Sequence, residues 1–100
     1  MITDQKQLLD LTEGYIRAKN KLETLERQYK ALYARLYLQE RILGMKTEAM
    51  RENEMTNILE NENRAFLDEL YTQRGITREC FYKREALVIC MQSKEDNTIS

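Results

Sequence analysis

Arg78, Tyr82, Lys83 and Arg84 fall within seven positions of one another and are the densest set of side chains here that could grip a ligand. Basic residues in such a cluster hold phosphate oxygens, and the N-terminal part of a helix carrying them can reach base edges. A second set is acidic. Glu54, Glu60, Glu62, Asp68 and Glu69 lie in residues 45–70, which carry three basic and seven acidic side chains. A row of carboxylates can meet a basic protein surface, although lysines and arginines dilute this one. Catalysis has little to draw on. The chain has no histidine, so it lacks an ordinary general base near neutral pH and any Ser–His or Cys–His pair. No glycine-rich loop can cradle phosphate. The expectation is a non-enzyme with no catalytic residues and no cofactor.

Cys80 and Cys90 stand ten positions apart, and on one helix they would point in different directions. An intrachain disulfide would need a break between them. With no histidine and no Cys-x-x-Cys, a zinc site has no ligand set. Reduced, partly buried thiols in a cytoplasmic protein are expected.

These residues must be positioned by helices. The 100 residues contain no proline and only three glycines, the two strongest punctuators of a chain, so turns are few and helices long. Counting in sevens from Leu8 gives Leu8, Tyr15, Leu22, Tyr29, Leu36, Leu43 and Met50 at a positions. The d positions are Leu11, Ala18, Leu25 and Leu32, then the polar Gln39 and Lys46. A stripe held from Leu8 to Leu36 is a coiled-coil signal. The expected interface is Leu8, Leu11, Tyr15, Leu22, Leu25, Tyr29, Leu32, Leu36 and Leu43. In a parallel in-register pair Lys21 would face Glu26, and Arg35 would face Glu40, both complementary. The alternative is a bundle helix packed on later parts of the same chain. Leu9 and Ile16 favour it by adding an early apolar edge, and Tyr33, Tyr37, Leu38, Ile42 and Met45 widen the apolar surface late. A helix over residues 4–43 would be roughly 60 Å long, too long for a compact globule of this size. Continuity through Gly14 therefore implies a partner along its length.

Gly44, after Arg41-Ile42-Leu43, suits a helix end. A second amphipathic segment follows, with Met55, Ile58, Leu59, Phe66, Leu67, Leu70 and Tyr71 at helical spacing, closed by Arg74-Gly75. Thr77 is placed to cap a third helix with Glu79 in its first turn. The organisation expected is a coiled-coil helix over residues 1–44, a two-helix head over 45–91 and a disordered tail over 92–100. The fold class is all-α, an elongated helical hairpin or bundle. Within the head, Gly75-Ile76-Thr77-Arg78 followed by Phe81-Tyr82-Lys83-Arg84-Glu85-Ala86-Leu87 resembles the end of the helix-turn-helix in phage late-transcription regulators of the ArpU and RinA type. The resemblance covers about a dozen residues and implies that Arg78, Tyr82, Lys83 and Arg84 face DNA. Tyr71 departs from it, standing where a small residue usually lets the two helices cross closely, and the preceding helix is acidic.

Net charge is −1 and gives no bulk argument for nucleic acid or membrane binding. No stretch approaches the roughly 20 apolar residues needed to span a bilayer, and the first residues have no apolar signal-peptide core. The leading expectation is a helical protein–protein interaction and oligomerisation module, an adaptor or regulator, forming a homo-oligomer (a dimer foremost) and taking a protein partner. The alternatives are a dimeric helix-turn-helix-like DNA-binding regulator and a small inhibitor that presents its acidic face to a nucleic-acid-binding enzyme.

Overall fold

In the computed structural model the backbone is described for residues 2–99 and the side chains for residues 3–94. Four helices account for nearly all of it: α1 (Ile2–Tyr37), α2 (Glu40–Leu43), α3 (Glu48–Glu62) and α4 (Arg64–Ile99). No strand occurs among the described residues. The all-α expectation holds, and so does helix continuity through Gly14. Three expected boundaries do not hold.

The first is the end of α1. The chain leaves it after Tyr37, six residues before the expected limit at Leu43. On an unbroken helix Leu36 and Ile42 would point about 120° apart. Gln39 instead adopts extended backbone (φ −68°, ψ 145°) and starts the single turn of α2. This re-aims the chain so that Ile42 joins Leu36 in the core and is fully buried. Leu43, one residue further on, is left half exposed. Gly44 does serve as a C-cap, but of α2, with its N–H donating to the Glu40 carbonyl at 2.8 Å.

The second is the break between the later helices, which falls at Asn63 rather than at Gly75. Thr47 opens α3 in extended conformation, and its Oγ1 accepts from the Met50 N–H at 3.2 Å, satisfying one donor of the first turn. Glu48 adds a favourable charge there. Asn63 then closes α3 and opens α4. Its N–H donates to Leu59 O at 3.2 Å, its Nδ2 to Ile58 O at 3.4 Å, and its own carbonyl accepts from Leu67 N–H at 3.1 Å. Helix α4 continues straight through Gly75, so Thr77 is an interior residue and not a cap. A helical glycine costs about 1 kcal/mol relative to alanine. Burying a leucine such as Leu70 recovers about 1.5–3 kcal/mol, so packing outweighs the glycine. The third boundary is the tail: the backbone of residues 92–99 belongs to α4.

The chain forms two compact units, residues 23–72 and residues 1–22 with residues 73–100. In the first, α3 contributes Met55, Ile58 and Leu59 at helical spacing to a core with Leu36, Ile42 and Leu67. Leu25 and Leu70 are buried there as well. Tyr29, Leu32, Tyr33 and Tyr37 pack against that core with their outer edges uncovered. Arg41 ties α2 to the end of α3 through two bonds to the Glu62 carboxylate, at 3.3 and 3.0 Å.

In the other unit the first part of α1 and the last part of α4 run antiparallel. Contacts descend along α4 as they climb α1: Asp4 with Lys94, Thr12 with Arg84, Tyr15 with Phe81, and Ala18 with Gln73 and Thr77. The buried centre is polar. The Ala18 carbonyl accepts from Gln73 Nε2 at 3.1 Å and from the Thr77 hydroxyl at 3.2 Å, and all three residues are buried. A small residue at position 18 lets both side chains reach the backbone.

Candidate interaction surfaces

The heptad seam of α1 is occupied within the chain. Leu8, Leu11, Tyr15 and Leu22 are half-buried, in the unit where α4 pairs with α1. Leu25 and Leu36 are buried, and Tyr29 and Leu32 half-buried, in the other unit. Of the nine expected interface residues only Leu43 is exposed. Most of what the heptads offered to a second chain is thus spent on self-packing.

The basic cluster is similarly committed. Lys83 Nζ lies 3.0 Å from Glu79 one turn back, and this bond pushes the lysine pKa up. Arg84 is half-buried, its Nε donating to Thr12 Oγ1 at 2.8 Å and its Nη1 to Glu85 at 3.3 Å. Arg78 is exposed. Tyr82 is also exposed and stands edge-on to Phe81, with ring centroids 5.6 Å apart. All four share α4, but the turn between two crossing helices that the phage-regulator resemblance implies is not formed.

The acidic face is partly neutralised. Glu62 is held by Arg41, whose bonds keep its carboxylate below the usual range. Asp68 pairs with Arg64 at 3.2 Å. Glu60 and Glu69 remain exposed, and Glu54 is half-buried.

The fold also leaves several large apolar side chains outward. In the unit built from residues 1–22 and 73–100, Leu9 is 57%, Ile16 50%, Tyr82 62% and Ile89 61% exposed. In the unit of residues 23–72, Tyr33, Ala34, Tyr37 and Leu38 line a shallow depression of about 380 Å³. Its floor belongs to a ladder of tyrosines along α1. Tyr29, Tyr33 and Tyr37 follow one another at ring separations of 6.2 and 6.3 Å, the last pair stacked. Leu38, at the helix end, is 70% exposed. A second depression of about 410 Å³ is lined by Gln28, Leu32, Arg35, Asn63 and Phe66. Cys80 is half-buried, whereas Cys90 is exposed, and both are free thiols.

Leu9, Ile16, Tyr33, Tyr37 and Leu38 were visible in the sequence as apolar residues off the seam, although they counted there only as a wider core face. The buried Gln73–Thr77 pair had no such signal, because two polar side chains in a helix look like solvated surface. No helix among the described residues is long and apolar enough to cross a membrane. Comparison of the chain with protein-family models, with curated proteins and with solved structures finds no match.

Proposed function

We propose that this chain is a non-enzymatic helical protein–protein interaction module, an adaptor or regulator in the cytoplasm, that works as a homo-oligomer and engages a protein partner through its outward faces. The observation carrying this reading is the placement of large apolar side chains. The α1 seam is consumed internally, yet Leu9, Ile16, Leu38, Tyr82 and Ile89 are each at least half exposed. Single exposed apolar residues are ordinary, but groups of them on packed helices mark interaction surfaces. Exposed tyrosines supply rigid anchors of large area, the residue type that dominates binding energy at interfaces. The reading needs no cofactor and no catalytic group.

Sedimentation equilibrium over about a hundredfold range of concentration, paired with affinity capture from native cells, tests it. The expected result is a mass above that of the single chain, or a protein recovered in fixed stoichiometry at standard interface affinities. A chain that stays monomeric throughout and recovers no protein would sink the proposal.

A further inference from the structure

We propose that the depression between α1 and the junction of α3 with α4 binds a small amphipathic carboxylate, a monoanion joined directly to an apolar group. The site lies wholly within the unit of residues 23–72 and does not rest on the oligomer reading. Its walls follow from helical spacing. Gln28, Leu32 and Arg35 are i, i+4 and i+7 on α1 and so share one face. Asn63 and Phe66 stand one turn apart where α3 gives way to α4. Between these two walls lies a volume of about 410 Å³. Small-molecule sites typically span roughly 300–1,000 Å³, so the depression is large enough for such a ligand.

The chemistry of the lining selects the ligand. Leu32 and Phe66 are both half-buried, and each keeps an uncovered edge for an apolar group. Arg35 supplies the charge. It is exposed, and among the described residues no hydrogen bond or ion pair engages it. Arg41 and Arg64, by contrast, are spent on Glu62 and Asp68. A guanidinium presents a planar fork of donors that matches the two oxygens of a carboxylate. Gln28 is exposed and equally unengaged among the described residues, so its amide is free to donate to the same group. Asn63 has already committed its Nδ2 to the Ile58 carbonyl at 3.4 Å.

The balance of charge points the same way. No carboxylate is among the lining residues, so nothing there repels an anion at contact distance. A single cation beside two apolar side chains balances one negative charge. A dianion such as phosphate would leave its second charge unpaired against Leu32 and Phe66. Arg35 also stands in the last turn of α1, where a cation is favoured for the helix itself. The test must therefore read ligand binding separately from stability.

The test is an NMR titration of the isotopically labelled full chain with four probes: phenylpropionate, N-acetyl-leucyl-phenylalanine, the C-terminal amide of that dipeptide, and inorganic phosphate. At least one of the two acids is expected to bind with a Kd on the order of 1 mM or below, shifting the signals of Gln28, Leu32, Arg35 and Phe66. The amide and phosphate should bind at least about tenfold more weakly. Arg35→Gln should weaken the acid by at least about tenfold. Lys30→Gln removes an exposed cation about 140° round α1 and should leave binding unchanged. Thermal melts confirm that both variants stay folded. If Arg35→Gln does not, Arg35→Lys, which keeps the charge and loses the fork, is read in its place. Tighter binding of the dipeptide acid assigns the site to a protein C-terminus, and tighter binding of phenylpropionate assigns it to a free acid; either supports the proposal. It is overturned by the absence of saturable shifts at these residues with both acids up to about 10 mM. Equal binding of the amide or of phosphate, or a folded Arg35 variant that binds like the wild type, overturns it as well.

Discussion

At the scale of single residues, the three glycines separate what a sequence pattern suggests from what packing decides. Gly44 and Gly75 look alike as punctuation, yet one caps a helix and the other lies inside one. No glycine takes a positive φ. A Cβ built at Gly14 or Gly75 meets nothing within 4 Å, whereas at Gly44 it would come within 3.0 Å of the Glu40 carbonyl. Gly14→Ala and Gly75→Ala should each therefore stabilise the protein by about 0.5–1 kcal/mol, through a smaller loss of backbone entropy. Gly44→Ala should give no such gain. Midpoints of urea unfolding check this, and a Gly75→Ala variant less stable than the wild type would show that α4 bends or opens at that point.

At the scale of helices, the apolar period of α1 was plain in the sequence because Leu and Tyr recur on one face over four heptads, from Leu8 to Leu36. Its pairing partner was not. On α4 the positions that meet α1 are filled by Gln73, Thr77 and Arg84, whose polarity disguises a buried stripe spaced like any other. Such a polar centre favours one register, since shifting α4 by a turn would take the buried Gln73 amide away from the Ala18 carbonyl, whereas the Thr77 hydroxyl keeps its bond to the Gln73 carbonyl within α4. Helix ends were hard to read for a related reason. The breaks at Gln39 and Asn63 arise from where Ile42 and the α3 core must point, which is a tertiary demand and leaves no glycine or proline behind.

The Arg41–Glu62 link between α2 and α3 also belongs to this scale, and its sign can be worked through. Glu62 titrates below the usual carboxylate range in the folded chain because Arg41 donates to it. In the unfolded chain it titrates within that range. The link therefore contributes fully above the ordinary carboxylate range and is lost as pH falls through the depressed folded value. Both groups are exposed, so the effect is small. Glu62→Gln should leave a shallower loss of stability on acidification than the wild type shows. Identical acid slopes for the two proteins would mean the link contributes nothing in solution.

At the scale of the whole molecule, charge bears on whether the partner is a protein or a nucleic acid. Sixteen basic and seventeen acidic side chains leave the chain at −1, so any phosphate binding would have to come from a local cluster. The best cluster is already committed: Lys83 faces Glu79, and Arg84 holds Thr12 and lies against Glu85. The two cations consequently make opposite predictions under the two readings. If they serve the fold, Arg84→Glu should cost about 1 kcal/mol or more, since it removes a charge-assisted bond to α1. Lys83→Glu should cost only a few tenths, the loss of one exposed helical pair. If they serve DNA, both should weaken duplex binding comparably and flatten its dependence on salt. Thermal melts of the two variants, run beside duplex titrations at low and moderate salt, separate these outcomes. We expect unequal melts and no salt-dependent binding by the wild type. Equal melts with binding that falls steeply as salt rises would transfer the function of α4 from holding α1 to holding a phosphate backbone.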